Sequence, residues 1–187
     1  FYNASEFFTY VYKSYPDEKE LRQAALAWKA RSLIQSERYK EAEATLDTAL
    51  KYIKSEKESV GDIYATRAQL HLYAQEDEEA IAMLEQAIKY ARKQQNKIRW
   101  IYLLAQLQQL NKNMDADENY TEVVKSNAPF EMAFNANLSR ISIRDEQSGN
   151  KVSRSERLVS LLKDDKNRDF IDQIYFQIAN TYAREKD

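Results

Sequence analysis

The sequence predicts an all-α protein built from repeated helical hairpins, and two observations support this prediction. The 187 residues include only 2 Gly and 2 Pro, although average usage would give roughly 13 Gly and 9 Pro at this length. Because these two residues build tight turns and strand corners, a chain so poor in both is typical of helices throughout. An apolar pattern also recurs with a period of 36 to 38 residues, long enough for two helices and their turns.

The recurring pattern is a small residue, an apolar residue four positions later, and a small or apolar residue three positions beyond that. This spacing puts all three on one face of a helix, where small residues let a neighbouring helix approach closely. The pattern occurs at Ala4/Phe8/Val11, Ala42/Leu46/Ala49, Ala80/Leu84/Ala87 and Ala116/Tyr120/Val123. A second amphipathic pattern alternates with it, at residues 26–30, 64–68, 100–105 and 175–182.

This alternation resembles the tetratricopeptide repeat, in which W-x2-L-G-x2-Y is followed by A-x3-F-x2-A and then by P. Both prolines agree with that order. Pro16 comes 12 residues after Ala4, and Pro129 comes 13 residues after Ala116. A proline at this point ends the second helix of a hairpin, because it cannot continue the backbone hydrogen bonding.

The resemblance implies a single tetratricopeptide-like, right-handed α-solenoid of about ten antiparallel helices across residues 1–187. We expect an irregular hairpin near 130–164, with a polar loop at 145–151 that is the best candidate for disorder. The first residue is Phe1 rather than Met, so we expect the sequence to be a piece of a longer protein. The predicted helices cover about 3–14, 20–35, 39–54, 60–75, 77–93, 96–111, 114–126, 130–144, 153–163 and 167–185.

Charge and residue content argue against several kinds of partner. With 28 basic and 30 acidic residues the formal net charge is −2, so we predict no nucleic-acid partner. No apolar stretch approaches the ~18 residues that a membrane span needs. Cys is absent, which excludes disulfides and zinc–thiolate sites. We expect no small-molecule substrate.

Residues suited to catalysis or to cofactor binding are scarce. Gly61 and Gly149 are too far apart for a dinucleotide-binding fingerprint or a phosphate loop. We interpret His71, the only histidine, as a packing residue, with a Ser-His-Asp triad as the alternative. The acidic clusters at 76–79 and 164–165 are interpreted as helix-terminus charges rather than as metal ligands. We predict a protein that is not an enzyme and has no cofactor, glycan hydrolysis by paired carboxylates being the enzymatic alternative.

A partner-binding surface follows from the tetratricopeptide resemblance, since the first helices of such repeats line a concave groove. The residues placed there are Trp28, Arg31, Gln69, Tyr73, Tyr102, Gln109, Asn137, Arg140, Gln177 and Asn180. Amides, aromatic rings and Arg are the groups that hydrogen-bond or stack against a peptide. For each residue the alternative is a solvated inner wall. Of the 13 Tyr and 7 Phe, we expect about three quarters to pack in the core.

Three stretches resemble one family more closely. Residues 99–107, RWIYLLAQL, are similar to the R-[YW]-x-Y-[IL]-LAQL stretch of the PorW/SprE family. Residues 165–176, DKNRDFIDQIYF, resemble its D-x-KN-x-x-[YF]-x-DQIYY stretch, and residues 127–136, NAPFEMAFNA, resemble its NPPYEM-x-FNA. The family comprises long tetratricopeptide lipoproteins needed for gliding motility and type IX secretion.

The closer resemblance implies a non-enzymatic scaffold that binds protein subunits of the type IX secretion machinery. It implies partners in the periplasmic ring and the outer-membrane translocon, and a location in the cell envelope as a periplasm-facing outer-membrane lipoprotein. Contact with a membrane would then occur only through a lipid anchor outside this sequence. The alternative is a generic tetratricopeptide module that binds peptides or chaperones. The 165–176 stretch is either a binding motif or a helix start, with Asp165 or Asn167 as the cap and its aromatics packed on the fifth hairpin.

Overall fold

The computed structural model describes residues 1–51, 59–148 and 151–184, and every regular element within these ranges is helical. The prediction of an all-α protein is therefore confirmed. A 3₁₀ helix at Asp165–Phe170 precedes the last α-helix. The α-helices are α1 Tyr2–Ser14, α2 Lys19–Gln35, α3 Tyr39–Lys51, α4 Val60–Tyr73, α5 Asp77–Lys89, α6 Gln94–Leu110, α7 Ala116–Lys125, α8 Phe130–Ser148, α9 Lys151–Leu162 and α10 Ile171–Arg184.

Several predicted boundaries are wrong, and the last α-helix begins at Ile171 rather than at 167. Helix α8 continues to Ser148 and α9 begins at Lys151, so both ends of the predicted loop at 145–151 belong to helices. Glu and Gln, which occur in this segment, are good helix formers, and no Pro interrupts it. The predicted fifth helix is also shorter, since α5 ends at Lys89. The centre of the predicted loop and the predicted ends at 54 and 185 lie outside the described residues.

The chain divides into two compact units, residues 1–107 and 108–187. In the first unit, α1 packs on α2, α2 on α3 and α4, α3 on α4, and α4 on α5. In the second unit, α7 packs on α8, α8 on α9, and α9 on α10. Helices that follow one another in the sequence therefore pack together within each unit, and the single tetratricopeptide-like solenoid stays a prediction.

The recurring apolar pattern supplies the closest packing in both units. Three of its four copies are at most 2% exposed, namely Ala42/Leu46/Ala49, Ala80/Leu84/Ala87 and Ala116/Tyr120/Val123. In the first unit, the α5 copy packs with Ala68 of α4 and with Trp100 and Leu104 of α6. The first copy, on α1, is only half-buried. The helix face predicted from spacing is thus the buried face of α3, α5 and α7.

Gly61, near the start of α4, lies where another helix comes closest. A Cβ atom added there would be 3.1 Å from the carbonyl oxygen of Tyr90, 3.2 Å from that of Ala87, and 3.1 Å from Cζ3 of Trp100. Two of these three neighbours are backbone atoms, which cannot rotate out of the way as a side chain can. A glycine at this position therefore lets α4 pack directly against the C-terminal end of α5.

Three helix–helix turns share one backbone geometry that the sequence does not reveal. Glu37, Gln75 and Lys112 have positive φ angles of 59°, 60° and 55°. In the first turn, Arg38 donates its N–H to the carbonyl of Leu33 at 2.9 Å, and the corresponding bonds in the other two turns measure 3.0 and 2.8 Å. This bond across a left-handed residue defines the Schellman motif. The turns recur at intervals of 38 and 37 residues, the same period as the sequence pattern.

Replacing Gln75 by Gly is expected to stabilise the protein by about 0.5–1 kcal/mol. A residue with a side chain costs about 1–2 kcal/mol in the left-handed region, and glycine avoids this cost. Glycine also raises the conformational entropy of the unfolded chain, which takes back about 0.5–1 kcal/mol of the stabilisation. Urea unfolding followed by circular dichroism measures the change. Glu85→Gly, at an exposed position inside α5, is the control and should cost about 1 kcal/mol. Equal destabilisation by both substitutions would contradict the left-handed turn.

Replacing Gly61 by Leu is expected to destabilise the protein by about 1–3 kcal/mol, because the new side chain must displace helix backbone. Ala82→Leu adds the same side chain on the exposed face of α5 and should change stability by about 0.5 kcal/mol or less. Both free energies come from the same urea titration. A Gly61→Leu protein as stable as the Ala82→Leu protein would show that α4 and α5 do not approach as closely as described.

Candidate functional site

A groove in the first unit is lined by side chains of α2, α4 and α6. It consists of a hollow of about 610 Å³ that continues into a second hollow of about 600 Å³. Both volumes fall within the range of ~300–1,000 Å³ that is usual for ligand sites. The residues common to the two hollows are Ala24, Ser59, Asp62, Lys93, Asn96 and Trp100. We call this continuous depression the Trp28 groove, after the aromatic residue at its edge.

Trp28 is held in place by a guanidinium group and by a second aromatic ring. The guanidinium of Arg31 lies 4.8 Å from the centroid of the Trp28 ring, and the ring of Phe8 stacks on Trp28 at 6.3 Å. Arg31 also donates from Nη2 to Asp62 and from Nε to the hydroxyl of Thr66, each at 2.9 Å. These contacts fix an indole that is 51% exposed. A large, exposed and immobilised aromatic ring is well suited to bind a partner.

The opposite wall of the groove is basic. It is lined at intervals of three residues by Lys93, Asn96 and Arg99. This spacing places them on one side of α6 and of the residue that precedes it. The side chains of Lys93 and Arg99 are exposed, and neither forms an ion pair or hydrogen bond within the described part of the chain. Arg31, by contrast, is paired with Asp62. The uncompensated charge of the larger hollow is therefore positive.

The structure brings Trp28, Arg31 and Gln69 of the predicted set together in this groove. Tyr102 belongs to a different face of α6, because Leu103 lines the groove and successive residues of a helix are about 100° apart. Tyr73 is exposed and its ring lies 5.7 Å from that of Tyr39 on α3.

The other predicted residues belong to the second unit, and two of them bind neighbouring helices. Gln109 accepts a hydrogen bond from the hydroxyl of Tyr120 at 2.8 Å. Arg140 lies 3.3 Å from Asp117, with its side chain only 17% exposed. These contacts give both residues a structural role. The half-buried residues that complete the set are Asn137, Gln177 and Asn180.

Lys93, Asn96 and Arg99 line the groove but were not among the predicted residues. Aromatic residues stand at both 100 and 102, and the predicted set contains Tyr102. In the structure Trp100 faces the core and the groove, so the register on α6 differs from the predicted one. One signal in the sequence points to this wall, since residues 86–114 contain six basic residues and no acidic one.

Two of the stretches that resemble the PorW/SprE family contact each other in the second unit. The ring of Phe170, from the 165–176 stretch, lies 4.8 Å from Phe134 and 5.5 Å from Phe130, both from the 127–136 stretch. The aromatic packing expected for a helix start is therefore found for Phe170. Tyr175 and Phe176, in contrast, are exposed.

The caps predicted for the 165–176 stretch are wrong. Asp164 caps the 3₁₀ helix, since its carboxylate accepts the backbone N–H of Lys166 at 3.0 Å. Asn167 is buried and donates its side-chain amide to the carbonyl of Leu161 at 2.8 Å. This bond satisfies a carbonyl at the end of α9 that has no partner within its own helix. Asn167 therefore joins the end of α9 to the 3₁₀ helix.

The expectation that three quarters of Tyr and Phe pack in the core is wrong. Small residues occupy the closest helix contacts, so many large rings lie at the edges of the helix pairs instead. Tyr can remain there because its hydroxyl is solvated. The exposed members among the described residues are Phe1, Phe7, Tyr10, Tyr15, Tyr39, Tyr73, Tyr90, Phe130, Tyr175, Phe176 and Tyr182.

The described residues contain no group of three or more His, Asp or Glu side chains arranged to hold a metal ion. His71 lies beside a helix terminus, with Nδ1 2.7 Å from a carboxylate oxygen of Glu76. No helix in the described ranges is long and apolar enough to cross a membrane.

Comparison with known proteins adds no assignment. The chain matches no protein-family model and no curated protein. The tetratricopeptide and PorW/SprE resemblances therefore rest on the sequence stretches described above.

Asp117, at the start of α7, is paired with two arginines of α8. Arg144 donates to its carboxylate from Nη2 at 2.8 Å and from Nε at 3.1 Å, and Arg140 donates at 3.3 Å. The Asp117 side chain is 21% exposed. Burial by itself would raise the pKa of Asp117, but the hydrogen bonds and charges of Arg144 and Arg140 outweigh it and hold the pKa below its ordinary value.

The lowered pKa of Asp117 predicts acid-sensitive stability. The pairs stabilise the fold above the unfolded pKa of about 3.9, and this contribution is lost as the pH falls through the lower folded pKa. Asp117→Asn should therefore cost about 1–2 kcal/mol at neutral pH, and its difference from the wild type should shrink in acid. Urea unfolding at several pH values measures both effects.

Glu118→Gln is the matched control, because it removes one exposed carboxylate from the same turn of α7. It should cost no more than about 0.5 kcal/mol. A loss for Asp117→Asn that does not depend on pH would contradict a role for the Asp117 charge.

Proposed function

We propose that the protein is a non-enzymatic scaffold of the type IX secretion and gliding machinery, which binds partner subunits through its helical surface. The observation that supports binding is the Trp28 groove, whose larger hollow has a volume of about 610 Å³ and is lined mainly by α2, α4 and α6. Immobilised Trp and Arg side chains are enriched where protein partners contribute most binding energy. The groove therefore suits an extended segment of another protein.

The link to secretion is supported by the three stretches that resemble the PorW/SprE family. One of them, 99–107, supplies Arg99, Trp100 and Leu103 to the Trp28 groove. The other two contribute the Phe130–Phe134–Phe170 cluster of the second unit. The stretches that carry the resemblance thus include both the proposed binding surface and a part of the packing.

In this proposal the protein is a tetratricopeptide-like solenoid in the cell envelope. It faces the periplasm from the outer membrane, to which a lipid anchor outside this sequence attaches it. Its partners are components of the periplasmic ring and of the outer-membrane translocon. A generic tetratricopeptide module that binds peptides or chaperones is the second candidate, since the same groove would serve that function.

A crosslinking pull-down tests this proposal in a gliding bacterium that has a type IX secretion system. The full-length tagged protein is compared with Trp28→Ala plus Gln69→Ala, which removes two side chains of the groove. Tyr10→Ala plus Gln106→Ala is the matched control, since it removes an exposed aromatic ring and an exposed amide elsewhere in the first unit. Equal amounts of folded protein are confirmed by circular dichroism and thermal melting.

The wild type and the control are expected to capture secretion-machine subunits, and the groove variant to release most of them. Capture by all three proteins would keep the scaffold function and exclude the groove as its site. Capture of chaperones or unrelated peptides, with no secretion component, would favour the generic module instead.

A further inference from the structure

The basic wall of the Trp28 groove belongs to a segment with unusual charge. The protein has a formal net charge of −2, yet residues 86–114 contain six basic residues and no acidic one. Five of these six lie between 89 and 99. In a chain with nearly equal numbers of acids and bases, such segregation creates a local positive field. The groove concentrates that field, because Lys93 and Arg99 line it directly.

Several other arginines of the first unit have acidic partners, whereas the basic side chains of this wall have none among the described residues. Arg67 is paired with Asp47 at 2.7 Å, and Arg31 with Asp62 at 2.9 Å. The side chains of Lys93 and Arg99 have no such partner among the described residues. An anionic ligand would therefore gain two ion pairs here without breaking an existing one.

Apolar and aromatic side chains line another part of the groove. Leu72 and Leu103 line the same hollow with partly exposed side chains, and Trp28 stands at its edge. A ligand that matches both features carries carboxylates next to apolar side chains. The second hollow adds Glu18 and Glu20 together with one further basic residue, Arg92, so that end of the groove is less positive than the Arg99 end. The acidic part of a ligand is thus directed towards Arg99.

We propose that the Trp28 groove binds an acidic, extended segment of a partner protein, whose carboxylates contact Lys93 and Arg99 and whose apolar side chains contact Trp28, Leu72 and Leu103. This inference rests on the proposed binding function and specifies its ligand. Glu18 and Glu20 set the direction of the segment. A segment rich in Lys or Arg is excluded from the Arg99 end by like charge.

Short fluorescein-labelled peptides test the ligand class by fluorescence anisotropy. Three probes share the same alternating leucines and carry Asp, Ser or Lys at the positions between them. The wild-type protein is expected to bind the Asp peptide about tenfold more tightly than the Ser peptide, as expected for two exposed ion pairs. It should bind the Lys peptide most weakly, and the preference for Asp should fall at high salt.

The decisive variant is Lys93→Glu plus Arg99→Glu. Both side chains are exposed, so the fold should tolerate the change. It is expected to reverse the order of the Asp and Lys peptides. Lys40→Glu plus Lys51→Glu changes the net charge equally, at exposed positions of α3 outside the groove, and should keep the wild-type order. Equal loss in both variants would mean that overall charge, not the groove, selects the ligand.

Equal affinity of the wild type for the Asp and Ser peptides would overturn the inference. Displacement of the Asp peptide by a single-stranded oligonucleotide, at equal concentrations of negative charge, would also overturn the inference. The groove would then bind any polyanion rather than an acidic peptide. These results are separable from the pull-down. Secretion subunits captured without any Asp preference would sustain the scaffold function and refute the acidic ligand. An Asp preference without captured subunits would sustain the acidic ligand and refute the secretion role.

Discussion

The close approach of helices at positions with almost no side chain is the constraint on which the packing depends. Gly61 contacts the last turn of α5, and Ala68, Ala80 and Ala87 are fully buried beside it. A methyl group contributes only about 0.8 kcal/mol of hydrophobic free energy. The importance of these residues is therefore geometric, because they bring the helix backbones close enough for the larger neighbours to fill the remaining space.

That constraint also explains why the surface is rich in aromatic rings. Where small residues occupy the contact line, as in the α3 and α5 copies of the pattern, Tyr and Phe rings lie beside it, whereas Tyr120 is itself buried in the α7 copy. Trp100 is an intermediate case. It is 8% exposed, packs in the core and also lines the groove. Trp28, in contrast, is stabilised by Phe8 and Arg31 rather than by burial. The groove is thus a product of how the helices pack, with its chemistry supplied by a few exposed side chains.

Much of the fold is predictable from spacing, and less of the site is. The Ala80/Leu84/Ala87 spacing predicts the buried face of α5, because a helix of 3.6 residues per turn brings those positions together. The left-handed turn at Gln75 is not predictable in this way, since the usual signal is Gly and none is present. On α6, Trp100 and Tyr102 fit the aromatic position equally well, and only packing distinguishes them. The Asp117–Arg144 pair joins residues 27 positions apart, which no local pattern reveals.

The position of the two tryptophans has a spectroscopic consequence. The chain contains 2 Trp, and both line the same groove. Trp28 is largely exposed and Trp100 is nearly buried, so their indoles emit at different wavelengths. Occupation of the groove would dehydrate one fluorophore while leaving the other nearly unchanged. The tryptophan emission of this protein is therefore a label-free optical reporter of that one surface, and neither tryptophan lies in the second unit.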